Sequence, residues 1–599
     1  MRLNRLYLII LVLIYSLFSA TFAQNHSRRW KVREISFAGN ETFSKGDLKG
    51  LMELEAKWPL YNDNFSGARL RSDIAAIEDY YRGQGFLNVI VVSETERDSS
   101  SRRVRIRIGI TEGVRTTINA VQIEPSKLPL DTSIYKRLWS RSGRPLINQR
   151  IEEDANLLEI RYGELGYLEA KVSPRTVVDS MSHTAVISFE VTEGPRILAG
   201  EITINGIKKL NPKVVKREIA FKEGEVLRLS RLRKSERQLY RTNLFSLVSI
   251  VPQLGVKDTA DVSRLPDTVY PVKISVSEAD FFRTEIGVGY GSVEGLRGSL
   301  RISYGNMFRV GHRLAFNGNV SQRVQFAEGI YTVPWFLTLP LQFNGSVYYN
   351  RIDDEENTYF GLFRGIRLAV GRQVDFGITY QVWLDWETVD ILPEENTRST
   401  GITISSDTRN DLIDPTRGGL NLLQAQVAGL TGIKSSQFYK ITNDSRIFWT
   451  AGDLCFASGL KLGYAHPYGK TDSVPTQERF FGGGPRSVRG FQEGHLRENA
   501  DGSSKSGNVQ VIANVIDFRF PLFWWFNGAL FLDAGYVWDE GEILERNFSG
   551  MLRDLRWGAG PGIRLNTPIA VIRFDVGFKI DRLPGESSYV FHLDIGQAF

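Results

Sequence analysis

"RTEIGVGYGS", residues 283–292, sets Ile286, Val288 and Tyr290 on one face and Gly287, Gly289 and Gly291 on the other. A strict period of two is the signature of a strand with one apolar face. The final stretch, "SYVFHLDIGQAF" (588–599), has the same texture. It alternates Tyr589, Phe591, Leu593 and Ile595 with Val590, His592, Asp594 and Gly596. Sixteen such segments lie between 281 and 599, separated by turns rich in Gly, Asp, Asn and Pro. An even number of alternating segments with aromatics on the apolar face predicts a 16-stranded transmembrane antiparallel barrel over 281–599. A soluble β-sandwich is the alternative. It does not account for strands of ~9–11 residues sustained through sixteen repeats.

Upstream of Phe281 the texture is different, because residues 30–280 contain an internal repeat. "DYYRGQGF" (79–86) corresponds to "IRYGELGY" (160–167), and "ITEGVR" (110–115) to "VTEGPR" (191–196). Tyr81 to Tyr162 and Glu112 to Glu193 are both separated by 81 residues. Each unit opens with an alternating strand such as "VREISFAGN" (32–40) and continues with two helical segments. In "RLRSDIAAIEDYYRGQGF", Leu70, Ile74, Ile77, Tyr80 and Tyr81 fall at helix spacing, and Gly83 and Gly85 suit the helix end. Two strands close the unit. A third copy, with "SERQLYRTNLFSLVSIVP", keeps the order but has diverged to offsets of 78 and 85. The reading is three β-α-α-β-β modules of α+β class, over 30–116, 117–198 and 199–279.

The N-terminus has the pattern of a secretory leader over 1–23. Arg2 and Arg5 precede the apolar run Leu6–Phe18, and "SATFA" supplies small residues before Gln24. A retained signal anchor is the alternative, but the run is short for a ~20-residue span. No later stretch offers 18 consecutive apolar residues. The formal charge is +6, or +4 without the leader's two arginines, which argues against a nucleic-acid partner. The single cysteine, Cys455, cannot form an internal disulfide and is read as a small strand residue. Six scattered histidines show no metal-site spacing, "FGGGP" lacks the lysine of a phosphate loop, and "SIYK" (133–136) has no companion motif. No cofactor, no metal site and no catalysis are expected.

The loop between the eleventh and twelfth strands, about 465–507, exceeds forty residues and contains "GGGPRSVRGFQEG" (482–494). A loop of that length calls for a functional reason. Parity on the thirteenth segment, "GALFLDAGYVW" (528–538), places Leu530, Leu532, Tyr536 and Trp538 toward lipid and Phe531, Asp533 and Gly535 inward. On the twelfth, Ile512, Ile516, Phe518 and Phe520 face lipid, Asp517 and Arg519 face inward, and Asn514 is a polar exception on the lipid face. The fourteenth directs Leu555, Trp557 and Ile563 outward and Arg556 and Arg564 inward. Asp517 and Asp533 therefore enter the lumen on adjacent strands, where Arg489 of the loop can meet both through its planar fork. The alternative leaves Arg489 on an exposed loop. Arg486 is read as solvated.

"SVRGF", "FLD" (531–533) and the terminal "DIGQAF" resemble the outer-membrane assembly insertases of the BamA/TamA superfamily. In that family a V-R-G-[FY] loop tip docks on an F-x-D strand. Val488, Arg489, Gly490 and Phe491 match the tip, and Phe531 and Asp533 match the strand, with Asp517 as a second acidic partner. The repeats resemble POTRA modules, and "SSDTRNDLIDPTRGG" (405–419) resembles a barrel segment of the family. Three modules make the layout most similar to TamA, although module count does not settle that choice. Two-partner secretion transporters of the superfamily carry an N-terminal plug helix, for which residues 24–31 leave no room.

The resemblance implies a cell outer-membrane barrel with periplasmic modules, an assembly and insertion factor for unfolded β-barrel or autotransporter clients. Its partners would be the lipid bilayer, those clients, and an inner-membrane-anchored periplasm-spanning protein or assembly lipoproteins. A two-partner-type polypeptide secretion pore is the alternative, and a passive porin leaves the three modules unexplained. Insertion would use a lateral seam between Ile286, Gly287, Gly289 and Gly291 on the first strand and Phe591, Leu593, Ile595 and Phe599 on the last. The glycines would weaken the first strand, unless they are ordinary inward residues beside a plug.

Overall fold

The computed structural model describes residues 30–595, apart from 58–60, 63, 125–132, 254–267, 355–358, 375–376, 391–394, 431–434, 501 and 568–570. The leader and Phe599 lie outside the described residues. The chain divides into two compact units, with the third module shared between them.

Each module has the expected order. In the first, strand Lys31–Ala38 leads to helices Lys45–Gly50 and Gly67–Gly83 and then to strands Ile90–Asp98 and Arg103–Thr111. The long helix starts at Ser66, whose hydroxyl accepts the N–H of Arg69. It buries Leu70, Ile77 and Tyr81 against Val104, Ile106 and Ile108 of the sheet. The closing strand is central, parallel to the opening strand and antiparallel to its hairpin partner. The second module repeats this pattern with strands Thr117–Glu124, Lys171–Asp179 and Thr184–Thr192. In the third the sheet is built from Ile197–Asn205, Phe245–Pro252 and Thr268–Glu278.

The repeat landmarks are hydrogen-bonding stations. Glu112 accepts the N–H and hydroxyl of Thr42 and the hydroxyl of Tyr81, tying the loop after the first strand to the end of the last. Burial raises its pKa, but these donors prevail and hold it below the usual glutamate value. Glu278 does the same work in the third module, accepting the N–H groups of Lys208, Lys209 and Leu210.

A further station was missed in the sequence although it recurs at the 81-residue offset. Asp73 accepts the N–H groups of Glu53 and Leu54, Asp154 those of Trp139 and Ser140, and Ser235 that of Ala220. Asp73 is buried. At about 1–3 kcal/mol for each of the two orphaned donors, Asp73→Ala is expected to destabilise the first module by roughly 2–6 kcal/mol. The check is amide hydrogen exchange in the full chain, with lost protection at Glu53 and Leu54.

From Phe282 the second unit contains a closed, sixteen-stranded antiparallel barrel. Its lipid face is apolar, with Ile286, Val288, Leu530, Ile563, Phe574 and Phe591 exposed. Two sequence expectations fail here. The segment between the thirteenth and fourteenth strands, expected to be a turn like the others, forms two short helices, Glu540–Leu544 and Phe548–Asp554. Trp538, expected to face lipid, is buried and donates its indole N–H to Asp554 of the second helix at 3.0 Å.

Candidate functional site

Three strands and the long loop build the site. The eleventh strand (Leu454–Pro467) delivers the loop, and the twelfth (Val509–Phe523) and thirteenth (Phe526–Trp538) carry its acidic receptors. Arg489 lies fully buried against the inner wall. Its Nε donates to Asp533 Oδ2 at 2.7 Å and its Nη2 to Asp533 Oδ1 at 2.9 Å, a forked pair. Nη1 donates to Asp517 Oδ2 at 2.8 Å, and the backbone N–H of Arg489 reaches Asp533 as well. The guanidinium carbon sits 3.7 Å from the centre of the Phe531 ring. Every residue expected to hold the tip is therefore in contact with it: Phe531, Asp533 and Asp517.

The rest of the tip is seated by shape. Val488 and Phe491 are buried with Leu496 and Ile512, and Phe491 lies beneath the cations of Arg556 and Lys579. Gly490 has φ +107°, which a side chain would strain. The wall is smooth where the loop meets it: a Cβ at Gly558 would collide with the Arg489 carbonyl oxygen, and one at Gly577 with the Gly490 nitrogen.

The polar exception on the twelfth strand disappears in the structure. A β-bulge at Val515 shifts the ladder between Asn514 and Ile516, so residues before it have the opposite parity. Ile512 and Asn514 therefore face inward, not to lipid as expected. Asn514 donates to Asp533 Oδ1 at 3.0 Å and to the Ser487 carbonyl at 2.9 Å, orienting the receptor and holding the loop.

Further residues join what parity arguments left out. On the fifteenth strand (Val571–Lys579), Asp575 stands 3.8 Å from Arg489 and accepts from Arg564 at 2.5 Å. Arg573 bridges Asp575 and Asp594 and donates to the Pro485 carbonyl. His592 accepts from the Gly490 N–H at 3.4 Å. The motif "RFDVGF" carried the signal, since Arg573, Asp575 and Gly577 alternate with apolar residues. Five buried arginines (489, 519, 556, 564, 573) and four buried aspartates (517, 533, 575, 594) share the wall, and Arg556 pairs with Asp581 and Glu586 at its end. Buried ions demand such partners. Arg486, read as solvated, is half-exposed but donates to Asp594 at 3.2 Å.

The seam is short. Among the described residues the first strand (Phe282–Gly291) pairs with the sixteenth (Tyr589–Ile595) at Gly291↔Asp594 alone, supplemented by the Ser292 N–H donating to the Leu593 carbonyl at 2.8 Å. On its other side the first strand pairs along its full length, from Phe282↔Tyr304 to Gly291↔Gly295. Ile286 and Phe591 face outward at the seam, while Gly287, Gly289 and Gly291 line the opposite face of their strand.

A family model described as the Omp85 superfamily domain matches residues 306–599. A second, the POTRA or surface antigen variable number repeat, matches 30–113, 116–194 and 198–279. The outer membrane protein assembly factor BamA of Neisseria meningitidis serogroup B is 24% identical, over 95% of this chain and 78% of its own length. The protein of that name from Nitratidesulfovibrio vulgaris is 22% identical, over 97% and 75%. The crystal structure of Haemophilus ducreyi BamA lacking POTRA domains 1–3 shares the fold, with a TM-score of 0.61 at 20% identity over 80% of this chain and 99% of that one. The barrel is thus an outer-membrane barrel and the modules are periplasmic. With repeats and barrel both matched, this chain belongs to the Omp85 superfamily.

Proposed function

We propose that this protein is an assembly factor that receives unfolded β-barrel or autotransporter clients on its periplasmic modules and inserts them into the outer membrane at the seam. The observation that carries this reading is the seam, where the first strand's pairing with the last among the described residues is limited to Gly291↔Asp594. A strand in lipid must pair every backbone group, and most of the first strand's outer edge has no ladder partner among the described residues. That edge is a template on which a client strand can satisfy its own backbone. Relatives named as assembly factors, matched over nearly the whole chain, support the reading and favour a BamA-like over a TamA-like role.

Arg489 serves this activity as a latch: it holds Val488–Phe491 on the wall beside the last strands and takes part in no bond-making. Pairing with a template needs no catalytic group, so the protein acts without enzymatic chemistry. In the modules, the edge strand Ile90–Asp98 exposes Ile90 and Val92 and is suited to β-augmentation by a client, an assembly lipoprotein or an inner-membrane-anchored partner.

The test is insertion of a small unfolded barrel protein into proteoliposomes, scored by protease protection. Insertion well above the rate in empty liposomes is expected. An unchanged rate together with new polypeptide flux through the vesicles would favour the secretion-pore reading instead.

A further inference from the structure

Arg297, on the second strand (Gly295–Met307), is the ladder partner of Gly289. Its side chain does not stay on its own strand. It lies across Gly289, where a Cβ would stand 2.7 Å from its Nε, and reaches the last strand beyond. There Nη2 donates to the Ile595 carbonyl at 2.8 Å and approaches Asp594 Oδ1 at 3.4 Å. Asp594 is buried, and its Oδ1 also accepts the N–H of Ile595. Its Oδ2 receives Arg486 from the loop and Arg573 from the fifteenth strand.

We infer that Arg297 is a positioning residue for insertion: a side-chain clasp that spans the first strand and ties the second strand to the last across the seam. The inference rests on the insertase reading for its purpose, but not for its geometry. A last-strand carbonyl in the barrel wall needs a donor. The guanidinium supplies that donor and a charge for Asp594 at once. Gly289 is then small because the clasp passes over it. Through Arg486, Asp594 also ties the clasp to the segment bearing the Arg489 latch. A client strand adding to the first strand must displace this side chain from the last.

The experiment measures the seam itself, without client, so that it fails or succeeds independently of insertase activity. Spin labels at Tyr290→Cys and Phe591→Cys, in a Cys455→Ser background, report the gap by pulsed dipolar spectroscopy in lipid nanodiscs. Arg297→Ala is expected to lengthen the main distance by about one strand spacing, ~4.8 Å. Gly289→Ser blocks the passage while keeping both charges and is expected to give the same shift. The double variant should open no further than either single one. Gly298→Ala, next to Arg297 but with nothing within 4 Å of its added Cβ, should leave the distance unchanged. Raising salt to ~1 M, where the Debye length is ~3 Å, should widen the parent seam and leave Arg297→Ala unmoved. An unchanged distance in Arg297→Ala, or additive opening in the double variant, overturns the clasp.

Discussion

Arg489→Ala is expected to expel the loop tip from the barrel. The substitution leaves Asp533 and Asp517 buried, with the forked pair on Asp533 lost and Asp517 retaining Arg519 at 2.9 Å. Breaking a buried pair by removing one partner costs about 3–5 kcal/mol. The wall relieves that cost by admitting water, which requires the tip to leave. Limited proteolysis should then cut between Gly482 and Gly494, where the parent protein resists, and the folded band should lose its resistance to heat in cold-detergent electrophoresis. Arg489→Lys keeps the charge but cannot reproduce the fork and the ring stacking together, so it should recover only part of the resistance. A tip that stays protected in Arg489→Ala would show that shape, not charge, seats the loop.

The second large effect comes from a residue with no charge at all. In Gly558→Ala the new methyl carbon would stand 1.8 Å from the backbone carbonyl oxygen of Arg489, which can give way only if the loop tip moves as a whole. Overpacking of this kind costs ~1–3 kcal/mol or more in a well-packed interior. Here the loop is free to move away, so the expected result is the same exposed, protease-sensitive tip with every ion-pair partner intact. Agreement between the two variants would identify loop seating as the quantity that matters. If Gly558→Ala keeps a protected loop, the fourteenth strand yields and the fit described for Gly558 is too strict.

Much of this architecture was legible because it follows from short periodicities. Two-residue alternation gave the barrel and its sixteen strands, and the 81-residue offset gave the modules. Parity alone brought Asp517 and Asp533 to one face. What failed did so where the backbone departs from regularity. The Val515 bulge reverses the facing of Ile512 and Asn514, and its trace in the sequence was the single polar residue on an apolar face. Trp538 has lipid-facing parity, but the helix ending at Asp554 covers it, and parity cannot foresee what a loop will bury. The inward-facing Asp575 and His592 were readable by alternation, whereas the reach of Arg297 over Gly289 was not. A contact across an intervening strand depends on the barrel's closure.

The central claim is that clients enter at the seam. Its most direct test is to lock the seam with cysteines at Ser292 and Leu593, the residues joined there by a backbone hydrogen bond, in a Cys455→Ser background. Client insertion into proteoliposomes is then followed before and after reduction. The expected result is a rate near that of empty liposomes while the disulfide is formed, restored to the parent rate by reductant. Equal insertion by the locked and reduced forms would contradict the account, because the client would then be entering the membrane without the seam.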